Sequence, residues 1–241
     1  MMPKVAMVLA AGEGRRLRPL TETRPKPLVA VNGRAIIDHI LDRLAEAGVR
    51  RVLVNACYRR EMIAAHLAGR RGVEVVLEDG PLDTGGSVAA VLGRLGEDPF
   101  FVINGDSLWL NGRRAALARL AEAFDPARMD GMLLLSTARS AVGFPDPGDF
   151  MLDPDGRVQR RREHQVVPFA YMGVQIASPA LFAGAPAGAF STNLLWDRAI
   201  AGERLFGLIH EGLWYHISTP ADLAAAERRF AGWHLPPTPY F

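Results

Sequence analysis

At 241 residues, 49% of them hydrophobic and with a mean hydropathy of +0.06, the chain can fill one large α/β domain or two small ones with a full core. A net charge of +2 is too weak to imply nucleic acid, and the scattered arginine pairs (Arg50-Arg51, Arg59-Arg60, Arg70-Arg71, Arg113-Arg114, Arg228-Arg229) read as solvated faces. The single cysteine, Cys57, read as a small core residue at a strand end, excludes an internal disulfide and a cysteine zinc cluster. No run nears the roughly 20 apolar residues of a membrane span, and 5–11 is too short for a signal peptide, so a cytoplasmic protein without a membrane partner is expected.

The apolar run 5–9 predicts a buried strand. It enters the loop Leu9-Ala10-Ala11-Gly12-Glu13-Gly14-Arg15-Arg16-Leu17-Arg18-Pro19-Leu20-Thr21, closed by Pro25-Lys26-Pro27. Glycines after a strand let backbone N–H groups approach an anion. Arg15, Arg16, Arg18 and Lys26 add cations suited to a polyphosphate. No Lys-Ser or Lys-Thr follows Gly14 as a Walker A loop requires, and the dinucleotide fingerprint wants a small residue where Arg15 to Leu17 stand. A bare G-x-G fits an ordinary strand-to-helix turn with solvated arginines better than a phosphate site. Arg16, Pro19, Thr21 and the Pro-Lys-Pro closure favour a nucleoside triphosphate site.

Ile36, Ile37, Ile40, Leu41 and Leu44 mark one face of a helix that Gly48 ends. A strand over 52–54, a helix over 61–67, a strand over 73–77, a helix over 84–95 opening on Thr84-Gly85-Gly86-Ser87, and a strand over 100–103 follow. This β-α-β-α order implies a mostly parallel sheet with helices on both faces and a ligand site at the carboxyl ends of its strands. The loops after Leu9, Leu77 and Ile103 should therefore converge. Asn104-Gly105-Asp106 follows the last of these strands, where a carboxylate suits Mg²⁺ and Asn-Gly suits a plain turn. The basic loop on the same sheet edge favours the metal.

The second half is less regular. A helix is expected over 113–124, a strand over 132–136 and a Gly/Pro-rich loop over 140–148. Short strands over 150–152, 157–161 and 169–176, some antiparallel, should wall a pocket. Helices over 193–200 and 221–230, strands near Leu205 and Trp214, and a surface tail with Pro236-Pro237-Thr238-Pro239 complete the chain.

L-A-A-G-x-G-x-R-L-x-P-L-T with P-K-P, a Gly-rich turn, and Gly-Asp after an apolar strand resemble the sugar-1-phosphate nucleotidyltransferases over essentially the whole chain. The short N-acetylmuramate-1-phosphate uridylyltransferase group is the most similar, through Pro81-Leu82-Asp83-Thr84-Gly85-Gly86, Asn104-Gly105-Asp106, Gly148-Asp149-Phe150, Pro179-Ala180-Leu181-Phe182 and Gly188-Ala189-Phe190. The resemblance implies a Rossmann-like GT-A type α/β three-layer sandwich, mostly parallel, with a smaller antiparallel sugar-binding part. It implies one domain over 1–241: a nucleotide-binding half to 110, a sugar-binding half over 111–232 and a tail over 233–241. No hexapeptide repeat of a β-helix module is visible, and a monomer or weak homodimer is expected.

The implied reaction joins an NTP, UTP being favoured, to a sugar 1-phosphate with release of pyrophosphate, as in making UDP-N-acetylmuramate for cell-wall recycling. Arg16 matches the arginine on the leaving pyrophosphate, Lys26 the lysine on the reacting phosphates and Asp106 the ligand of Mg²⁺, with Mn²⁺ as the alternative. Leu9, Ala10, Ala11, Gly12, Gly14, Arg15, Thr84 and Gly85 would complete the nucleotide site. Asn104, Trp109, Asp149, Tyr171, Gly173 and Asn193 would line the sugar site. Trp109 equally suits a core, and Asn193 a helix cap.

The family's second metal carboxylate, in W-x-D-x-G-T, corresponds here to His216 in Trp214-Tyr215-His216-Ile217-Ser218-Thr219. Imidazole suits transition metals better than Mg²⁺, so His216 reads as a weaker metal ligand, a phosphate contact or a packing residue. His39, His66, His164, His210 and His234 show no metal spacing. The open alternatives are a GDP- or dTDP-sugar pyrophosphorylase, a phosphocholine cytidylyltransferase, and a nucleotide-binding regulator with weakened turnover.

Overall fold

The computed structural model describes residues 1–137, 141–144 and 147–232. The proline-rich tail with His234, and positions 140, 145 and 146 of the expected 140–148 loop, lie outside the described residues.

The alternation seen in the sequence builds the first half. β1 (Val5–Leu9), α1 (Ile36–Glu46), β2 (Arg51–Ala56), α2 (Arg60–Leu67), β3 (Val73–Leu77), α3 (Asp83–Ala90) and β4 (Phe100–Asn104) follow one another. β5 (Leu108–Leu110), α4 (Ala116–Ala123), β6 (Gly131–Thr137), β7 (Phe150–Leu152), β8 (Val158–Arg160) and β9 (Phe169–Ala177) lead to α5 (Asn193–Ala201), β10 (Leu205–Ile209), β11 (Leu213–Tyr215) and α6 (Pro220–Gly232).

Nine of these strands form one sheet, with β3-β2-β1-β4-β9-β6-β10 side by side and the β7–β8 hairpin joined to the start of β9. The strands from β3 to β4 are parallel, in register through Ala6, which opposes Val52 on one side and Phe101 on the other. β9 runs antiparallel to β4 and β6, and β10 is parallel to β6.

Both faces are covered, because successive strand residues point to opposite sides. Ala6, Val8, Val52, Val54, Phe101 and Ile103 join one core with the apolar faces of α1 and α4. Met7, Leu53, Phe100 and Val102 join the other with α3 and α5. This is the three-layer arrangement expected.

Three expectations need correction. The helix foreseen over 84–95 breaks at Val91 (φ −116°, ψ 10°), leaving α3 and a single turn, Leu92–Leu95. The helix foreseen from 113 starts at Ala116, whose N–H donates to the Asn111 side chain (3.0 Å), so Asn111 holds the entry loop away from helix geometry. Cys57 lies one residue past β2 and is half-buried, outside the core proper.

Candidate active site

The loops after β1, β3 and β4 converge at the carboxyl edge of the sheet and enclose a cleft of about 440 Å³. Leu9, Ala10, Ala11, Gly12, Gly14, Arg15, Arg16, Lys26, Thr84, Asn104 and Asp106 line it, joined by Asn55, Ser87 and Ser218. The basic loop folds tightly on itself. Gly14 has φ +63°, and a Cβ there would lie 2.9 Å from Lys26 Cβ and 3.1 Å from Thr21 Cγ2. The Thr21 hydroxyl donates to Gly14 O (2.9 Å), and Tyr58 Oη donates to Thr21 O (2.7 Å). Glycine and threonine thus let the Pro-Lys-Pro segment pass close beneath the loop.

The cations divide by partner. Arg15 is exposed and paired with Glu13 (2.6 Å), which lowers the Glu13 carboxyl below its ordinary pKa. Arg16 lines the cleft with no hydrogen bond or ion pair among the described residues, so its charge is open to a ligand. Lys26, largely buried, places Nζ 2.5 Å from Asp106 Oδ2. The Asn104-Gly105-Asp106 turn forms as its sequence predicts, Ser107 N donating to Asn104 O (3.0 Å). It presents Asp106 to the cleft as well.

Beneath the loop lies a network that the sequence reading did not select. The buried Asn55 side chain accepts from Ala10 N (2.7 Å) and donates to Glu78 Oε1 (2.9 Å) and Ser87 Oγ (3.0 Å). It therefore fixes the backbone of the loop after β1 from below. The available signal was one amide in an otherwise apolar strand, Val52 to Ala56.

A second cavity of about 400 Å³ shares Leu9, Asp83, Thr84 and Asn104 with the first. Asp149, Tyr171, Asn193 and His216 line it, as do Arg160, Gln175, Trp196 and Trp214. Asp149 Oδ2 accepts from Tyr171 N (2.8 Å), and Trp196 Nε1 donates to Gln175 Oε1 (3.0 Å). The Tyr171 and Trp196 rings meet edge to face at 4.9 Å, and burial raises the Tyr171 phenol above its ordinary pKa.

Several expected residues fall elsewhere. Trp109 is 3% exposed in the core on β5, so the tryptophans of the cavity wall are Trp196 and Trp214. Gly85 packs on Phe190: its N–H donates to Phe190 O (2.9 Å), and a Cβ would lie 2.4 Å from the ring, so it does not line the nucleotide cleft. Gly173 is not in the cavity wall. It carries φ +74° at a bulge of β9 against Asn104 and Ser107. Asn193 does not cap α5, since the cap position is Thr192, and its Oδ1 accepts from Arg160 Nη2 (2.9 Å).

His216 lies at the cavity wall, edge-on to the Phe144 and Trp214 rings, with Nε2 2.7 Å from Ser218 Oγ. Burial lowers its pKa, and nearby Lys26 and Arg16 add to this against the opposing pull of Asp106. The ring is therefore neutral near pH 7. Of the other histidines, His210 is buried against Leu110 O, His39 bonds Val31 O, and His66 meets Asp38.

The MobA-like NTP transferase domain matches residues 6–195. An N-acetylmuramate alpha-1-phosphate uridylyltransferase of Caulobacter vibrioides is 44% identical over 95% of this chain and 98% of its own. One of Neisseria meningitidis is 34% identical over 95% and 99%. The inositol-1-phosphate CTP transferase of T. maritima superposes with a TM-score of 0.75, at 22% identity, over 94% of this chain and 95% of that one. The fold is thus the GT-A-like Rossmann type. With its motif loop, its sheet edge and its end-to-end likeness in agreement, the chain belongs to the MobA-like NTP transferases, among the sugar-1-phosphate nucleotidyltransferases.

Proposed function

We propose that the protein transfers a uridylyl group from UTP to N-acetylmuramate α-1-phosphate, giving UDP-N-acetylmuramate and pyrophosphate, a step suited to recycling cell-wall sugars. The observation that carries this reading is a pair of cavities meeting at Leu9, Asp83, Thr84 and Asn104, with Lys26 and Asp106 beside the junction. The named activity of the full-length relatives supplies base and sugar.

An oxygen of the sugar phosphate attacks the α-phosphorus of UTP. The new P–O bond forms as the bond to the bridging α–β oxygen breaks, and pyrophosphate departs with that electron pair. The attacking phosphate is already ionised, so no general base is needed. The chain contributes position and charge. Backbone groups over residues 10–14 receive the triphosphate, fixed from below by Asn55. Arg16 meets the departing pyrophosphate, and Lys26 neutralises charge on the reacting phosphates.

Among the described residues no three His, Cys, Asp or Glu side chains cluster as a dedicated metal cage. A hard cation needs only one or two carboxylates beside substrate phosphates, and Asp106 lines the cleft. Asp106 would hold Mg²⁺, or Mn²⁺ in its place, and the neutral His216 would be a weaker second ligand on giving up its Ser218 contact. The ion supplies, when bound, positive charge at the triphosphate.

The test is a matrix of UTP, GTP, CTP and dTTP against N-acetylmuramate, N-acetylglucosamine, mannose and glucose 1-phosphates, read by pyrophosphate release under Mg²⁺ and Mn²⁺. Turnover should be greatest with UTP and N-acetylmuramate 1-phosphate. A different preferred pair would reassign the substrates, and nucleotide binding without any turnover would establish the regulator instead.

A further inference from the structure

The second cavity has two chemically different ends. Leu9, Thr84 and Asn104 form the end shared with the nucleotide cleft, whereas Phe150, Arg160 and Trp196 border the second cavity alone. Arg160, the last residue of β8, is the sole lysine or arginine among its described lining residues. Its guanidinium carbon lies 5.3 Å from the Phe150 ring centre and 5.9 Å from that of Trp196, distances at which a cation is held over aromatic faces. Nε donates to Asp197 (2.5 Å) and Nη2 to Asn193 Oδ1 (2.9 Å), while Nη1 makes no hydrogen bond among the described residues.

A neutral hexose offers such a cation only hydroxyl acceptors, whereas an anion makes the stronger, charge-assisted contact. Arg16 and Lys26, the cations assigned to the triphosphate, line the other cavity. N-acetylmuramate differs from N-acetylglucosamine by a lactyl ether on O3, whose carboxylate is a second anion carried two ring carbons away from the 1-phosphate. We propose that Arg160 receives this carboxylate, making it the residue that selects an acidic acceptor sugar. With the 1-phosphate at the shared end, the carboxylate meets the Nη1 edge of the guanidinium fork. Asp197, more than half exposed, is an internal counter-anion with a weak hold that the substrate replaces. This inference rests on the uridylyl-transfer reading above.

A purely structural role, tying β8 to α5 through Asp197, is the competing account, and two substitutions separate them. UTP turnover is measured with N-acetylmuramate 1-phosphate and N-acetylglucosamine 1-phosphate, which differ only in the lactyl group. Arg160→Gln should raise KM for the first by roughly 10- to 100-fold, the loss expected for a charge-assisted contact. Kinetics with the second should change by less than about threefold on the same scale, and Arg160→Lys should recover part of the loss. Asp197→Asn should lower KM for the carboxylate-bearing acceptor, since it removes the competing anion. Equal losses on both acceptors, or Asp197→Asn behaving like Arg160→Gln, would overturn the assignment. So would a wild-type enzyme that turns over both acceptors alike. No wild-type turnover with either acceptor would instead remove the uridylyl-transfer reading, and this inference with it.

Discussion

Lys26 and Asp106 face each other at 2.5 Å across a separation of 80 residues, and each is expected to act on the reacting phosphates in its own right. Lys26→Ala should lower kcat/KM by about 100-fold or more, in keeping with lost electrostatic stabilisation of phosphoryl transfer, with the fold checked by circular dichroism. Asn55→Ala would leave Ala10 N–H and Glu78 without their partner, at a cost of about 1–3 kcal/mol. Its KM for UTP should rise while that for the sugar phosphate stays close to wild type, as steady-state kinetics will test. His216→Asp should reduce the Mg²⁺ concentration needed for half-maximal rate; an unchanged metal titration would remove His216 from the site. The cations of the loop were legible in the sequence because they crowd into a dozen residues. Asn55 was not, since its partners Ala10, Glu78 and Ser87 are joined to it only by the fold.

The strands of the parallel half could be read from their apolar runs, buried in the central β1 and β4 and more open in the edge strand β3. The β9 bulge could not. Between Tyr171 and Gln175 this strand spends four positions where β6 advances only from Leu135 to Leu133. The surplus sets Gly173 at φ +74°, where a Cβ would sit 2.2 Å from Ser107 Oγ and 2.9 Å from Asn104 Nδ2. Gly173→Ala should therefore destabilise the protein by about 1–3 kcal/mol through strain and overpacking. It should also impair turnover by displacing Asn104, which borders both cavities; melting and kinetics on one preparation test the pair. At α6 the sequence reading passed over a cap. Thr219 and Asp222 form a reciprocal pair, Thr219 Oγ1 accepting from Asp222 N (3.2 Å) and Asp222 Oδ2 from Thr219 N (2.8 Å), the Thr-x-x-acid pattern of a capping box.

For the molecule as a whole, two histidines tie stability to pH. Burial lowers the pKa of both His210 and His216, so the unfolded chain binds protons more readily than the native one. Their contribution is present in full above about pH 6.5, the unfolded value, and is lost as pH falls through the lowered native values. The melting temperature should drop between pH 7.5 and 5, and His210→Gln should flatten that drop. The three-layer architecture itself was within reach of the sequence, because it follows from alternating elements. How the cavities share one wall was not, because β9 enters the sheet beside β4 only after the intervening chain has built other elements. The Lys26–Asp106 contact gives this junction a thermodynamic character of its own. In the nucleotide-free protein a divalent cation at Asp106 would have to compete with an ammonium for the carboxylate, whereas a triphosphate would draw that ammonium toward itself. On the proposed function, nucleotide and cation would then be heterotropic partners, each raising the other's affinity by the same factor. Calorimetry with Mg²⁺ alone should register far weaker binding than Mg²⁺ with a non-hydrolysable UTP analogue, and Lys26→Met should narrow the gap.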